Sequence, residues 1–478
     1  MSHALLIDFG STYTKLRAVD LEMARLIGSG QGPSTVGTDI TVGMRATLDD
    51  LEARLGGLPE FTHRLASSSA AGGLRMVTVG LVPDLTAKAA RLAALGAGAK
   101  LVGTYAFELT AGDAAAIAAE APDMVLLTGG TDGGNREVIE ANAQALAASG
   151  LRCPVVVAGN RNAADAVEAA LAKAGLRVLV TDNVMPKHLE LNIEPARAAI
   201  RQLFIEHIVH AKGIDAAHDF FDEVLMPTPA AVLEAARLLA DGADGRAGLG
   251  PLMVVDVGGA TTDVHTISDG APSVSGVVYH GLPEPHAKRT VEGDMGMRHT
   301  ARGVIGEIEP AAFAAAAGLS EDRVEEILGR TELAADWLPE SDDERRFDAA
   351  LARAAVAIAV TRHAGTHETV YAATGPVIMQ RGKDLSEVTA IIGTGGALVH
   401  GGSAADVLAG ALATPETPLS LKPKAAELHL DADYLLFACG LLAGVAPVAA
   451  FDLAMRCLKP LTDEEGSAHD AGSDQRTG

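Results

Sequence analysis

A short turn pattern occurs twice in this chain, and it constrains the fold more than any other feature. Residues 7–15 read IDFGSTYTK, and residues 254–264 read VVDVGGATTDV. In both stretches an apolar strand runs into an aspartate, Asp8 or Asp256, and a glycine follows two residues later. Apolar segments on both sides of such a turn predict a β-hairpin. A turn of this kind in each half of the chain predicts two similar halves.

The residues of the repeated turn indicate phosphate binding. A glycine turn after a strand leaves backbone N–H groups on one side, where they can donate to phosphate oxygens. Gly10 and Gly258 would permit a positive φ and a close approach of the chain to a ligand. The nucleotide-binding residues predicted in the two hairpins are Gly10, Ser11, Thr12, Thr14, Lys15, Gly258, Gly259, Thr261, Thr262 and Asp263.

Asp8 and Asp256 need a cation beside the phosphates, because a carboxylate alone repels them. Mg²⁺ fits, since it takes one or two carboxylates together with waters and phosphate oxygens. We therefore predict that both aspartates bind Mg²⁺ and act in catalysis on Mg-ATP. Either motif alone would also be compatible with an ordinary hairpin that has a threonine-rich turn. A third turn with Gly393, Gly395 and Gly396 in residues 389–399 favours the nucleotide interpretation.

The middle third of the chain has a different pattern. Short apolar runs end in Gly, Asn or Asp, and alanine-rich helical segments lie between them. This alternation predicts βαβ units and a parallel sheet, and a further strand is predicted over residues 101–107. The predicted domains are a first lobe at 1–110, an inserted α/β domain at 111–225, a second lobe at 226–460 and a disordered tail at 461–478.

Charge and composition exclude several classes of partner. The formal net charge of −24 argues against nucleic acid and anionic membranes, both of which reward Lys and Arg. Three dispersed cysteines favour neither a disulfide framework nor a zinc site. Residues 434–451 carry no charge over a length at which a membrane span must be considered, but Gly440, Gly444 and Pro447 favour a buried helix or helix pair. No N-terminal signal is evident, so we expect a cytoplasmic protein.

The three glycine turns together resemble the two phosphate loops and the adenosine loop of the actin/sugar-kinase/heat-shock-chaperone ATPase superfamily. Residues 228–235, TPAAVLEA, are similar to the helix that enters the second lobe of these proteins, and Thr228 is a candidate N-cap. The resemblance implies an α/β fold with two duplicated actin-like ATPase lobes around a nucleotide cleft and an inserted α/β domain. It also implies that Gly395 and Gly396 bring the backbone against the adenosine.

A narrower resemblance covers most of residues 1–455. It rests on residues 67–100, 127–135, 254–265 and 291–298, which are similar to the MutL/GlmL family of glutamate mutase accessory proteins. This resemblance implies an ATP-dependent, chaperone-like reactivating factor whose partner is an adenosylcobalamin-dependent mutase. The involvement of cobalamin is implied by this resemblance alone.

Further candidate residues each have a structural alternative. Glu292, Asp294 and Arg298 in EGDMGMR would complete the metal shell or position the attacking water, or they would form a solvated loop. The glycine pairs of residues 128–135 would bind a second ligand at the carboxyl edge of the insert's sheet, or would only pack. Glu223 is a weak candidate for the catalytic base.

His207 and His210 lie three residues apart and could share a metal, although no third ligand follows at suitable spacing, which favours a polar helix surface.

Three functions remain open at this point. A slow ATPase that remodels a protein partner is favoured, because no base for an acceptor hydroxyl stands out, as a transfer enzyme would require. A metabolite kinase of the same superfamily is the first alternative, and a nucleotide-binding scaffold protein is the second.

Overall fold

The computed structural model describes residues 2–10, 13–35, 39–69, 74–211, 220–333, 337–373 and 375–461, without the side chains of residues 207–211, 223–225 and 332–333. Predictions for Ser11, Thr12 and the tail lie outside these residues, as do those for the side chains of Glu223, His207 and His210. The fold is mixed α/β, as predicted. The chain forms two compact units, one made of residues 1–248, 280–289 and 436–454, and the other of 249–279, 290–435 and 455–478.

The strands up to residue 248 are β1 (His3–Phe9), β2 (Tyr13–Asp20), β3 (Arg25–Pro33), β4 (His63–Ser68), β5 (Leu74–Val79), β6 (Ala99–Tyr105), β7 (Met124–Leu127), β8 (Val155–Val157), β9 (Val178–Val180), β10 (Glu223–Pro227), β11 (Gly242–Ala243) and β12 (Arg246–Ala247). The helices of this part are α1 (Ile40–Leu55), α2 (Lys88–Gly96), α3 (Ala111–Ala119), α4 (Glu137–Ala148), α5 (Ala164–Lys173), α6 (Glu194–Ala211) and α7 (Thr228–Asp241).

The strands after residue 248 are β13 (Leu252–Val257), β14 (Thr262–Ile267), β15 (Val278–His280), β16 (Ala287–Glu292), β17 (Thr366–Ala372), β18 (Gly375–Arg381), β19 (Ala390–Thr394), β20 (Glu427–Asp431) and β21 (Leu458–Pro460). The helices of this part are α8 (Ala301–Gly306), α9 (Pro310–Ala317), α10 (Glu321–Leu333), α11 (Asp342–His363), α12 (Gly396–His400), α13 (Ala404–Ala409), α14 (Leu436–Leu442) and α15 (Pro447–Cys457).

The central sheets of the two units repeat one strand order. The first sheet runs β10-β4-β1-β2-β3, and the second runs β16-β14-β13-β19-β20-β21. In each sheet the hairpin strands are antiparallel, and the first hairpin strand is also parallel to a later strand, β4 or β19. The first strand of each hairpin is buried in the core, and Ile7 and Val255 are both fully buried. The duplication inferred from the two turns therefore extends to the sheets that carry them.

A third sheet has the order β6-β5-β7-β8-β9, with every pairing parallel. It confirms the predicted βαβ units. The sheet also includes β5 and β6, which precede residue 111, so its strands begin earlier in the chain than the predicted start of the insert. β10, inside the predicted insert, pairs with β4 of the first sheet. The parallel sheet is buried on both faces, as its valine-rich strands require.

The uncharged stretch at 434–451 forms the predicted helix pair, α14 and α15. α14 packs so closely on α7 that a Cβ at Gly440 would overlap the carbonyl of Ala231. Among the described residues, no helix has both the length and the apolar character that crossing a membrane requires.

A buried lysine makes the stability of the second unit depend on pH. Lys422 is 3% exposed, and its Nζ donates to the Gly410 carbonyl at 2.9 Å. Burial lowers the pKa of Lys422 to about 8, and the charge of Arg353 adds to this effect. The unfolded chain, with an ordinary lysine pKa, therefore binds more protons than the folded chain between pH 8 and about 10.4.

The free energy of unfolding should consequently rise with pH across this range. For the Lys422 contribution we expect an increase of about 2 kcal/mol between pH 7.5 and pH 9.5. Urea unfolding of the wild type and of Lys422→Met at both pH values measures it as the difference between the two proteins. Lys424→Met, at an exposed position, is the control and should keep the wild-type pH dependence. An identical dependence in Lys422→Met would contradict the assignment.

Candidate phosphate-binding site

The two hairpin turns are closed by the same hydrogen bond. The Gly10 N–H donates to the Tyr13 carbonyl at 3.1 Å, and the Gly258 N–H donates to the Thr261 carbonyl at 2.9 Å. A Cβ at Gly10 would lie 2.5 Å from the Tyr13 oxygen, and one at Gly258 would lie 3.0 Å from the Thr261 oxygen. Neither glycine has a positive φ, so that part of the prediction is wrong. Close approach within the turn is the reason for glycine here.

Asp8 is held by hydroxyl groups at the end of β1. Asp8 is 6% exposed, and its Oδ1 accepts from the Thr228 Oγ1 at 2.6 Å and from the Ser67 Oγ at 3.5 Å. Lys15 lies directly opposite Asp8 across the hairpin. Burial raises the pKa of Asp8 above its ordinary value, although the charge of Lys15 and the Thr228 hydrogen bond oppose this. The fold thus places Asp8 where a bound cation would offset the cost of its burial.

Thr228 has a different role from the predicted one. The N-cap position of α7 is occupied by Pro227, which makes no side-chain cap, while Thr228 is the first helical residue. Its hydroxyl donates to Asp8 instead. This contact joins residues 220 positions apart, and no local sequence signal could have indicated it.

The second hairpin carries more negative charge than the first. Asp263 occupies the position opposite Asp256, where the first hairpin has a lysine. Directly opposed residues in an antiparallel pair project on the same face, and like charges there destabilise the sheet. Thr261 donates to Asp263 at 3.2 Å. A divalent cation is the ligand that two such carboxylates favour.

The amides of the second turn are available to a ligand. The Gly258 carbonyl accepts from the Met297 N–H at 3.1 Å, and the Gly259 carbonyl accepts from the Arg298 N–H at 2.8 Å. The turn is thus braced on its carbonyl side by the segment after β16. Within the described part of the chain, the N–H groups of Gly259 and Ala260 donate to no other residue, and both residues are exposed. They are the amides best placed to meet phosphate oxygens.

Two of the predicted hydroxyl donors are buried. Thr262 is 0% exposed and donates to the Met295 carbonyl at 2.5 Å, which ties the hairpin to the bracing segment. Thr14 is likewise 0% exposed, and its Oγ1 has no hydrogen-bond partner among the described residues. Neither hydroxyl is exposed to a ligand in this structure.

The acidic residues of EGDMGMR are brought together by one arginine of α11. Arg362 donates to Glu292 at 2.8 Å and to Asp294 at 3.2 Å. Arg298 instead makes a bidentate pair with Asp348, at 2.9 and 2.6 Å. The motif begins at Glu292, the last residue of β16, and is fixed to α11 at two points.

The glycine-rich loop at 128–135 is explained by packing. Asn160, 1% exposed, donates to the carbonyls of Gly134 and Asn135 at 3.1 Å each, and accepts from the Gly133 N–H at 3.2 Å. A Cβ at Gly130 would overlap the Asn135 carbonyl. These contacts support the structural alternative for this loop.

The third glycine turn lies against the second aspartate. Gly395 has φ +101°, and a Cβ there would lie 2.8 Å from Asp256 Oδ1 and would overlap the Val257 carbonyl. Gly396 begins α12, and a Cβ there would meet only the Tyr434 hydroxyl, at 3.6 Å. Gly393 is buried in β19, where a Cβ would press on Leu398 and Leu408. Glycine is thus required beside Asp256 at position 395.

We expect Gly395→Ala to weaken the affinity for ATP and ADP at least fivefold. The new methyl group would displace the Asp256 carboxylate, and alanine disfavours a φ of +101°. Isothermal titration calorimetry measures the affinity, and circular dichroism confirms folding. Gly329→Ala in α10, where a Cβ would meet nothing within 4 Å, is the control and should bind like the wild type. Equal affinity in both variants would show that the turn is only structural.

The family of the chain follows from sequence comparison. A family model described as MutL protein matches residues 4–458. The chain belongs to the MutL protein family. Protein MutL of Clostridium tetanomorphum is 45% identical over 463 residues, covering 96% of this chain and 99% of the relative.

Solved structures with similarity to this MutL family member include an acetone carboxylase and a xylulose kinase. The match to an acetone carboxylase structure covers 92% of this chain and 70% of the carboxylase chain, with 14% identity and a TM-score of 0.40. The match to a xylulose kinase from Bifidobacterium adolescentis covers 96% of this chain and 94% of the kinase chain, with 13% identity and a TM-score of 0.31.

The donor set fits magnesium more closely than a transition metal. The described residues contain no cluster of three or more His, Cys, Asp or Glu side chains that could hold a metal ion. Mg²⁺ does not require one, because it keeps several waters and binds through one or two carboxylates with substrate phosphates. Asp8, buried among hydroxyls, and the opposed pair Asp256 and Asp263 offer such carboxylates.

Proposed function

We propose that this protein hydrolyses Mg-ATP and uses the nucleotide cycle to reactivate an adenosylcobalamin-dependent mutase of the glutamate mutase type. The observation that carries the ATP assignment is the duplicated hairpin, with the same closing hydrogen bond and an aspartate at the same strand end in both units. The mutase assignment is supported by membership of the MutL protein family and by the sequence resemblance to glutamate mutase accessory proteins.

The chain's own residues would act on the phosphates in three ways. The exposed amides of Gly259 and Ala260 would donate to phosphate oxygens, and Lys15 would supply a point charge. Asp8 in the first unit and Asp256 in the second would each offer a carboxylate to magnesium, which would neutralise charge on the transferred phosphoryl group. Asp294, whose side chain is 58% exposed, would orient the attacking water, with Glu292 and Arg362 fixing its position.

Reactivation would require the ATPase to favour an open form of the mutase. A partner can drive opening only if it binds the open form more tightly than the closed form. A shift from 1:99 to 99:1 needs roughly 5.5 kcal/mol of differential binding. An interface that ATP switches on and hydrolysis resets can supply that difference repeatedly.

The test is to load glutamate mutase with hydroxocobalamin and to add this protein, Mg-ATP and adenosylcobalamin. Recovered mutase turnover and released cobalamin are the readouts, and we expect both to depend on ATP. The Asp8→Asn variant should recover no activity, even in excess. Recovery without ATP, or none with the cognate mutase, would contradict the proposal. ADP release stimulated by a sugar, polyol or organic acid would favour the kinase alternative.

A further inference from the structure

Phe107 is an exposed aromatic residue in a strained backbone conformation. The predicted strand 101–107 ends at Tyr105, and Phe107 is 62% exposed in the loop that follows β6. Its φ is +69°, which is the left-handed region and is disfavoured for a bulky side chain. Strained backbone persists only where surrounding structure fixes it, and it concentrates at functional sites.

A buried asparagine holds this conformation in place. Asn142 of α4 is 0% exposed. Its Nδ2 donates to the Phe107 carbonyl at 3.0 Å, and its Oδ1 accepts from the Leu109 N–H at 2.7 Å. The Phe107 N–H donates to the Leu81 carbonyl at 3.1 Å. The backbone is thus fixed on both sides of a phenyl ring that is itself left in solvent, so the core gains nothing from the ring.

The neighbouring loop extends the apolar surface. Val82 is 37% exposed in the loop after β5, and Pro83 beside it is also exposed. The loop leads into a short π-helix, Pro83–Ala87, and the Leu81 and Val82 N–H groups donate to the buried Thr86 hydroxyl at 2.8 and 3.0 Å. We call the surface formed by Val82, Pro83, Asp84, Phe107 and Glu108 the Phe107 patch.

Two exposed carboxylates accompany the apolar residues. Glu108 follows Phe107 directly, and Asp84 lies three residues beyond Leu81, to which the Phe107 N–H is bonded. An aromatic anchor accompanied by charges is the arrangement of an interface hot spot with a polar rim. Because both rim charges are negative, the complementary surface carries Lys or Arg around an apolar pocket.

We propose that the Phe107 patch docks the protein partner of this chain, with the phenyl ring entering an apolar pocket bordered by basic residues. Identification of the partner as the mutase rests on the proposed function. The acidic rim disfavours an anionic membrane as occupant. Docking here explains the exposed ring, its fixed backbone and the two exposed carboxylates together.

The decisive variant is Phe107→Gly, because glycine accepts a φ of +69° without strain. This variant removes the phenyl ring and relieves the strain of the left-handed backbone conformation. We expect thermal stability equal to or above that of the wild type, unchanged ATP turnover, and at least a tenfold increase in the Kd for glutamate mutase measured by biolayer interferometry. Tyr371→Ala removes an aromatic that is 83% exposed in β17 and should bind like the wild type.

The rim is tested by Asp84→Asn combined with Glu108→Gln. Slower association and a weaker dependence of binding on salt between 50 and 300 mM NaCl are expected. The proposal is overturned if Phe107→Gly binds the mutase as tightly as the wild type, if it loses thermal stability, or if wild-type protein does not bind. Wild-type self-association that Phe107→Gly abolishes in sedimentation would assign the patch to a second copy and would also overturn it. ATP turnover, measured on the wild type and on each variant, shows separately whether the ATPase activity is intact.

Discussion

Replacing Asp8 by asparagine is expected to lower ATP turnover at least tenfold without loss of thermal stability. The change removes the charge that would hold magnesium, and tenfold corresponds to only about 1.4 kcal/mol of transition-state stabilisation. Asparagine keeps the shape of the side chain, and its Oδ1 can still accept from the Thr228 hydroxyl. A coupled ADP-release assay measures turnover, and differential scanning calorimetry measures the melting temperature.

The stability part of this expectation follows from the pKa of Asp8. Burial raises that pKa, so the folded chain disfavours the ionised carboxylate relative to the unfolded chain. The cost grows as pH rises above the unfolded pKa, and the neutral amide avoids it. At pH 7 the variant should therefore melt at the wild-type temperature or higher. This is the usual trade of stability for function at a ligand site.

Asp256→Asn tests the second hairpin, and Asp20→Asn is the matched control. Asp20 is also a buried aspartate of the first hairpin, but it lies at the far end of β2 and accepts from the Glu22 and Met23 amides. We expect Asp256→Asn to lower turnover at least tenfold and Asp20→Asn to leave turnover near the wild-type value. Wild-type turnover in both the Asp8 and Asp256 variants would refute the site.

Replacing Glu284 by glutamine is expected to destabilise the first unit by about 3–5 kcal/mol, the cost of leaving buried charge without its partner. The Glu284 side chain is 2% exposed and lies 2.6 Å from Lys88 Nζ and 3.1 Å from Lys288 Nζ. Burial alone would raise the pKa of Glu284, but the charges of Lys288 and Lys88 outweigh it and hold the pKa below its usual range. Burial also lowers the pKa of Lys288.

Urea unfolding at pH 7 measures this effect. Combining Glu284→Gln with Lys288→Met should recover part of the loss, because removing both partners of a buried pair costs less than removing one. Glu190→Gln is the control, since Glu190 pairs with Lys187 and both side chains are exposed, by 52% and 77%. We expect a change within about 1 kcal/mol there. An equally small change in Glu284→Gln would show that the cluster contributes little.

The candidate site could be predicted from sequence where its residues are local. The aspartate-glycine turns, the two hairpins and the glycine turn before α12 each lie within about a dozen residues. Short-range periodicity and turn residues determine such units. The same reasoning identified the parallel sheet, because strand and helix alternate along the chain, and the helix pair at 434–451.

The tertiary structure decided which distant residues meet. Thr228 meets Asp8, Glu284 meets Lys88, and Asn142 fixes the backbone of Phe107, over separations that no local pattern records. It also assigned the need for glycine to position 395, where the chain passes the Asp256 carboxylate. Sequence determined the elements and their turns, because those depend on neighbouring residues. Packing decided burial, charge pairing and close approach, because those depend on residues that only folding brings together.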